Sequence, residues 1–441
     1  MKVSQFMLFG IFFIGISSAA AQEKKSLPLN EAINLAWTNS NEVTLANTKV
    51  TTKKYELQSK KNNQYPDLKL SGQYQRLANA AVDFKLNQNN NAQQLPLVNQ
   101  LMIGQLSASV PVFSGFKIHN SIAVQENLYQ DEMATTSQTK DEIALRVIDY
   151  YTRLYKAQKR IELLKENQKS AQQRVKDFIE LEKNGIIPRN DLLKSQLQVS
   201  KIQLNLDEIN TNLKIINFYL VTLLKLNPET KLEIRESDFA DFEITTIPTN
   251  DHLAIENRKD LEALRFQGKA SEANIKIAKG FYYPTIAIIG GYTALDLSNV
   301  ITVQNAMNIG VGISYDLSTI LKNGTTVKLA ENKFVEVQNS EAMLMDYIKI
   351  QVQKSIEDYD LSLKQNVVFS EALEQSAENY RIIKDKYDNG LSDTNDLLEA
   401  DVEQLSSKIN NALTKANTFQ KYYELLSATG QLSQTFTISK N

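Results

Sequence analysis

Apolar residues recur at intervals of four and three along most of this chain, and at intervals of two along four shorter stretches. The first pattern begins with Leu29, Ile33, Leu35, Ala36 and Val43 and predicts a helix over 29–64. Tyr65-Pro66 ends it, because the residue before proline avoids the α region. A matching helix from Leu261 to Tyr283 ends in Tyr283-Pro284. After each Tyr-Pro the period drops to two. Leu68, Leu70 and Tyr74 alternate with Lys69, Ser71, Gln73 and Gln75, while Ile286, Ile288, Gly290 and Tyr292 alternate with smaller residues. Met102, Gly104, Leu106, Ala108, Val110 and Val112 oppose Gln105, Ser107 and Ser109. Ile309, Val311, Ile313, Tyr315 and Leu317 oppose Asn308, Gly310, Gly312, Ser314 and Asp316. Strands are therefore expected at about 67–77, 101–113, 284–295 and 306–317. Such alternation suits a barrel strand with lipid outside and water inside, and also the edge of a soluble sandwich. The segment Asn87 to Gln94 is nearly all Asn and Gln and reads, like Asp296 to Asn305, as a solvent-exposed hairpin loop.

The four-three spacing returns over longer distances. Ile143, Val147, Tyr150, Leu154, Ala157, Ile161, Leu164, Ala171, Val175 and Phe178 form one stripe, and Val199, Ile202, Leu206, Ile209, Leu213, Ile216, Leu220 and Leu223 another. Leu398, Val402, Leu405, Ile409, Ala412, Ala416, Phe419, Tyr423 and Leu426 form a third. These predict helices packed as left-handed coiled coils. A helix from about Gly115 to Lys183 would be roughly 100 Å long, a rod rather than part of a globule.

Between the paired rods stands one motif twice, Asn-Gly-x4-Asn-Asp-Leu-Leu, at Asn184 to Leu193 and at Asn389 to Leu398. The copies lie nearly half the chain apart, so the chain reads as an internal tandem duplication. Gly185 and Gly390 fit helix C-caps with positive φ. Asn190 and Asn395 are expected as N-caps, with Asp191 and Asp396 in the first turn, where the helix dipole favours negative charge. Each motif is thus the tip of a helical hairpin. Ile186, Ile187 and Leu391 have no obvious core there, which suggests a partner surface. Asp393, Asp396, Glu399 and Asp401 cluster near the second tip, and rotational symmetry would turn them into acidic rings. Lys194 stands where the second copy has Glu399, so the acidic pair belongs to the second tip alone. Residues 227–258, with Asn227-Pro228 and Pro248, read as a linker between a first repeat at 22–226 and a second at 259–432, followed by a tail at 433–441.

Composition narrows the function. Among 441 residues only 15 are Gly and 8 Pro. Basic and acidic residues number 49 and 51, a net charge of -2, so nothing suits a nucleic-acid partner. There is no cysteine, and the two histidines, His119 and His252, lie far apart. Disulfides, thiolate nucleophiles, Cys-ligated metals and a lipidated cysteine are excluded. No nucleophile motif, metal cluster or phosphate loop supports an enzyme, and no cofactor is implied. Lys2, the apolar run Phe6 to Ile16 and Ser17 to Ala21 predict a signal peptide over 1–21. No later stretch is long and apolar enough for a transmembrane helix. Four strands cannot close a barrel, and an open sheet in lipid leaves its edges unsatisfied. Any symmetric closure with at least two copies would meet that requirement.

The ordered set of Tyr-Pro strand entries, Val110-Pro111-Val112-Phe113-Ser114-Gly115 and two glycine tips resembles the TolC family of bacterial outer-membrane efflux proteins, over about residues 26–432. The resemblance implies an α+β membrane protein of the cell outer membrane. Its fold would be a trimeric β-barrel with four strands per protomer, continuing into a long periplasmic α-helical coiled-coil barrel. It implies a homotrimer in outer-membrane lipid, docked by its tips onto a periplasmic adaptor and an inner-membrane transporter as the passive exit duct of a tripartite efflux or type I secretion system, for small molecules or polypeptides. The adaptor contacts would be Gly185, Ile186 and Ile187, with Gly390, Leu391 and Ser392. Asp396 and Glu399 match the family's acidic aperture rings, and Tyr387 and Asp191 match the network that holds the tunnel closed. Ser392 departs from the family, whose best-known member has a closing arginine there. A periplasmic coiled-coil scaffold without transport is the alternative, and it leaves the alternating strands without a purpose. Drugs, metal ions and polypeptides all remain open as cargo.

Overall fold

A computed structural model describes residues 24–81, 97–240 and 251–436. The expected signal peptide, the Asn87–Gln94 loop, Pro248 and the last residues of the tail lie outside the described residues. The chain runs β1 (Lys24–Ser26), α1 (Leu29–Asn39), α2 (Asn41–Asn62), β2 (Asp67–Ala81), β3 (Leu97–Phe113), α3 (Lys117–Lys183), α4 (Arg189–Leu224), β4 (Lys231–Glu233) and α5 (Ser237–Ala240). It continues α6 (Asp251–Asn257), α7 (Lys259–Gly280), β5 (Thr285–Leu297), β6 (Ile301–Ser314), α8 (Leu317–Asp388), α9 (Thr394–Ala428) and α10 (Leu432–Thr435).

The four long strands form one antiparallel sheet in the order β2-β3-β5-β6, so β2 and β6 are its edges. Its register sorts the side chains by face. Leu70, Leu106, Tyr292 and Met307 lie in one cross-strand row, and Leu68, Ala108, Gly290 and Ile309 in the next on the same face. Ser71, Gln105, Thr293 and Ala306 share a row on the opposite face. The apolar face has no cover within the protomer, and Leu70 and Met307 are 81% and 80% exposed.

Several expected boundaries shift. β2 runs on to Ala81 and β3 begins at Leu97, and β5 reaches Leu297 while β6 starts at Ile301, so most of the expected Asp296–Asn305 loop is paired strand, Asp296 with Thr302 and Leu295 with Val303. The predicted 29–64 helix is two helices, because Ser40 turns extended and its hydroxyl accepts from the Val43 amide at 3.3 Å, capping α2. The last strand ends at Ser314 rather than near 317, because Asp316 leaves the strand and its carboxylate accepts from the Ser318 and Thr319 amides at 3.0 and 3.2 Å. That cap starts α8, so Leu317 begins a helix.

The rods are long. α3 has 67 residues and α8 has 72, about 100 Å or more each at 1.5 Å per residue. Their stripes are buried much as the spacing predicts: Ile161, Leu164 and Ala171 of α3 pack with Ile202 and Leu206 of α4 and Ile409 of α9. Midway along the rods a larger core forms. Leu27, Ile33 and Trp37 meet Val147, Tyr151 and Tyr155 of α3, Leu220 and Leu224 of α4, and Phe419 and Tyr423 of α9. Phe239 stacks on Tyr155 at 4.2 Å, and the Tyr151 hydroxyl donates to Leu27 O and to Asp238. Phe436, in the expected tail, stacks on Tyr423 at 5.4 Å and is buried.

The 227–258 segment has more structure than its composition suggests. β4 pairs in parallel with β1. Two side-chain amides hold it to the rods: Asn217 donates to Thr230 O and accepts from Leu232 N, both at 2.9 Å, while Gln158 donates to Leu232 O at 2.7 Å. These amides satisfy backbone groups that a strand neighbour would otherwise take. α6 precedes α7 across an extended Arg258, as α1 precedes α2 across Ser40. Where α7 crosses the β3–α3 turn, Gly115 and Gly280 lie back to back. A Cβ on Gly115 would stand 2.3 Å from Gly280 O, and Gly115 also has φ +61°, so neither constraint admits a larger residue.

Asp141 of α3 lines a cavity of about 300 Å³ with Arg258, Lys259 and Gly430. Its Oδ1 is buried without a partner. Burial pushes the carboxyl up to about 6, against a Ser433 hydrogen bond and the charges of Lys259 and Arg258, which pull it down. The folded chain therefore holds this proton more tightly than the unfolded chain does. The group stabilises the fold in acid, and that contribution is lost as pH rises through about 6. Asp141→Asn is expected to raise the thermal unfolding midpoint at about pH 7.5 and to leave it nearly unchanged at about pH 4.5. A shift of equal size at both would contradict the assignment.

Candidate functional site

The two hairpin tips are built alike and lie side by side. At the first, α3 ends in Asn184, Gly185 takes φ +70°, and the Gly185 and Ile186 amides donate to Glu182 O and Leu181 O, both at 2.9 Å. At the second, Gly390 takes φ +73°, and the Gly390 and Leu391 amides donate to Tyr387 O and Lys386 O at 3.0 and 2.8 Å. Both are Schellman turns, which need a left-handed residue just past the helix end, and glycine meets that need at least cost.

The helices that follow are capped two residues earlier than expected. Pro188 and Asp393 occupy the N-cap positions, not Asn190 and Asn395. Asp393 accepts from the Asn395 and Asp396 amides at 2.8 and 3.0 Å, and Pro188 enters extended, its missing N–H no loss at a helix start. Asp191 and Asp396 fall in the first turns, as the dipole argument requires.

Several of the sequence-predicted tip residues meet across the two hairpins. Thr394, buried at the start of α9, donates to Asp191 Oδ2 at 2.8 Å. Lys194 donates to Asn395 Oδ1 at 2.8 Å and lies 3.6 Å from Asp191. Ser392 donates to Asp396 Oδ2 at 2.7 Å within its own turn. Tyr387 stacks on Phe178 of α3 with ring centroids 6.0 Å apart, its hydroxyl buried and unpaired. Ile186 and Leu391 project at the end of the rods, 68% and 78% exposed, and Ile187 is half-buried. Asp396 and Glu399 are exposed.

The acidic cluster divides by role. Asp393 is exposed but caps α9, and Asp401 is buried, so Asp396 and Glu399 are the exposed members that cap no helix. Asp401 pairs with Arg174 of α3 at 3.1 Å, with side chains only 5% and 11% exposed, and also accepts from Gln198 of α4 at 3.0 Å. Burial alone would lower the Arg174 guanidinium; the Asp401 hydrogen bond and charge more than offset this and hold it above its ordinary value. Three helices from the two hairpins thus share one buried ion pair about two turns behind the tips. Sequence reasoning missed Arg174, and it counted Val402 into the apolar stripe of α9. Val402 is exposed, and the buried face near the tip is Thr394, Leu397, Ala400 and Asp401. The signal available was a carboxylate immediately beside an alanine on a helix face otherwise reading as core.

Among the described residues no group of His, Cys, Asp or Glu is placed to hold a metal ion, and no helix is long and apolar enough to cross a membrane. The sequence profile of the outer membrane efflux protein family matches residues 32–224 and 252–431, one stretch in each half of the chain. The chain belongs to that family. Solved channels share its fold. The CusC channel aligns with a TM-score of 0.81 at 15% identity, over 91% of this chain and 92% of that one. The outer-membrane channel OprN gives 0.80 at 16%, over 91% and 90%. The Campylobacter jejuni CmeC outer membrane channel gives 0.78 at 16%, over 100% and 95%. By sequence alone, no curated protein matches the chain. Outer-membrane channels of efflux systems are therefore the setting in which the tips, the rods and the sheet have to be understood.

Removing one member of the buried pair should weaken the tips. Asp401→Ala leaves Arg174 buried without its counter-charge, which costs about 3 kcal/mol or more. Amide hydrogen exchange is expected to speed up in the first turns of α9 and around Arg174, and Arg174→Met combined with Asp401→Leu should restore most of the protection. Unchanged exchange in Asp401→Ala would show that the pair holds nothing together.

Proposed function

We propose that three copies of this chain close into a twelve-stranded outer-membrane barrel continued by a periplasmic helical tunnel, and that this assembly is the passive exit duct of a tripartite efflux system. The observation that carries the reading is the register of the four-stranded sheet. One face is a continuous apolar surface through Leu70, Leu106, Tyr292 and Met307, the other carries Lys69, Ser71, Gln105 and Ser107, and both edges are open. A sheet with lipid on one side and water on the other must close on itself, and copies of the same chain supply the missing strands. A periplasmic scaffold would gain nothing from that surface.

In this reading the chain is a tandem duplication, with repeats at 22–226 and 259–432 and the signal peptide at 1–21 removed on export. Energy comes from an inner-membrane transporter, reached through a periplasmic adaptor. The adaptor meets Gly185, Ile186 and Ile187 and Gly390, Leu391 and Ser392, whose exposed apolar side chains support a partner surface. Asp191 and Tyr387 hold the entrance closed within each protomer, and Asp396 and Glu399 line it with negative charge. The chain performs no chemistry on its cargo.

Purified protein added to a planar lipid bilayer is expected to insert as an oligomer and conduct ions; a protein that stays monomeric in detergent-free buffer and gives no current contradicts the duct. Gly185→Val and Gly390→Val force a branched side chain into positive φ, and each is expected to abolish efflux from cells while the amount of assembled oligomer stays the same. Full efflux with both substitutions would remove the tips from the docking surface.

A further inference from the structure

On the sheet face that carries the polar residues, the rows change character from one end to the other. Next to the helices the cross-strand rows are Asp67, Ser109, Ile289 and Gly310, then Lys69, Ser107, Gly291 and Asn308, then Ser71, Gln105, Thr293 and Ala306. These are mostly small or polar. The next two rows, toward the strand tips, are Gln73, Ile103, Leu295 and Val303, then Gln75, Leu101, Leu297 and Ile301. Three of the four positions in each are branched aliphatics. The change falls at a β-bulge between Thr293 and Leu295, opposite Asn305 in the left-handed region with φ 57°. The extra residue keeps Val303 and Ile301 on the same face as Leu295 and Leu297. At this level the row on the opposite face is Tyr74, Met102, Asp296 and Thr302. The polarity of the two faces is therefore inverted on β5 and β6, while β2 and β3 keep Tyr74 and Met102 on the opposite face.

Ile103, Leu295 and Val303 are half-buried within one protomer, whereas Tyr74 and Met102 on the other face at the same level are exposed. On closure of the ring the face that carries the polar rows turns inward and becomes the concave one. Nearer the helices, Gly291 and Gly310 occupy positions on this face without a side chain. Going outward, the concave face passes from small, polar positions to bulky, apolar ones.

We propose that Ile103, Leu295 and Val303, with Leu101, Leu297 and Ile301 behind them, form an apolar collar at the outer mouth of the pore, a specificity element that passes apolar and amphipathic solutes and retards small hydrated ions. The proposal rests on the duct reading, which turns the concave face into a lumen. An ion must shed or distort its hydration shell to cross a ring that offers it no hydrogen bond, whereas an apolar solute meets favourable contacts. Two Gln residues, Gln73 and Gln75, give each protomer a narrow polar strip beside the aliphatics, which suits a solute with one polar edge.

The chain has no cysteine, so a single reporter can be placed in the lumen. Ser107→Cys lies on the concave face on the helix side of the collar. In bilayer-inserted channels, a neutral and an anionic methanethiosulfonate of similar size are added on the strand-tip side, and reaction is read as a stepwise drop in current. With the native collar the anionic reagent is expected to react about ten-fold slower than with the near-isosteric Leu295→Asn and Val303→Thr together, while the neutral reagent is unaffected. Ile103→Thr alone should give a smaller change in the same direction, which keeps the test open if the double variant assembles poorly. Equal anionic rates with native and polar collars overturn the proposal while leaving the duct intact. No current from the unsubstituted protein overturns both.

Discussion

The rest of this structure depends on one constraint: a strand edge cannot lie unpaired in lipid. β2 and β6 each present a row of backbone groups without a partner in the protomer, and their apolar face has nothing of the same chain to cover it. Each unpaired group would cost several kcal/mol in hydrocarbon. In the proposed assembly the protomer is an incomplete object, and copies of it close the ring. The rods would follow from that closure: helices that leave a closed sheet continue as a ring, and their length, about 100 Å in α3, would carry that ring far from the membrane.

Length makes the far end vulnerable. Helices this long are held by repeated stripes, and at the tips a stripe has no further turn to lean on. There the two hairpins are joined by polar contacts instead: Thr394 to Asp191, Lys194 to Asn395, and the buried Arg174–Asp401 pair with Gln198. A buried ion pair is directional and depends on geometry, so its net stabilisation is small while the cost of breaking it is large. Aliphatic packing thus dominates along the rods, while polar and charged contacts tie the two hairpins together at the tips.

Much of this was legible in the sequence, and the failures have physical reasons. Period-two alternation located all four long strands, because a sheet with one apolar and one polar face writes the pattern into every second residue. The stripe from Ile143 to Phe178 located the buried face of α3 for the same kind of reason. Caps were misplaced where two candidates stood close together: Asp393 wins over Asn395 because its carboxylate reaches two amides, and Ser40 breaks a helix whose apolar period continues past it. β4 was invisible because Asn217 and Gln158, remote in sequence, hold it. Arg174 was invisible because its partner lies on the other half of the chain. The tip glycines were legible because only a left-handed turn asks for glycine at that spot, twice.

The central claim is that β6 of one copy pairs with β2 of the next until three copies close. Since the chain lacks cysteine, one cysteine on β2 and one moved stepwise along β6 report that contact without background. Oxidation in native outer membranes followed by denaturing electrophoresis should give, at one register and its neighbours two residues away, a covalent ladder that ends at three chains. No cross-link at any register, or a ladder ending at another number, would contradict the account.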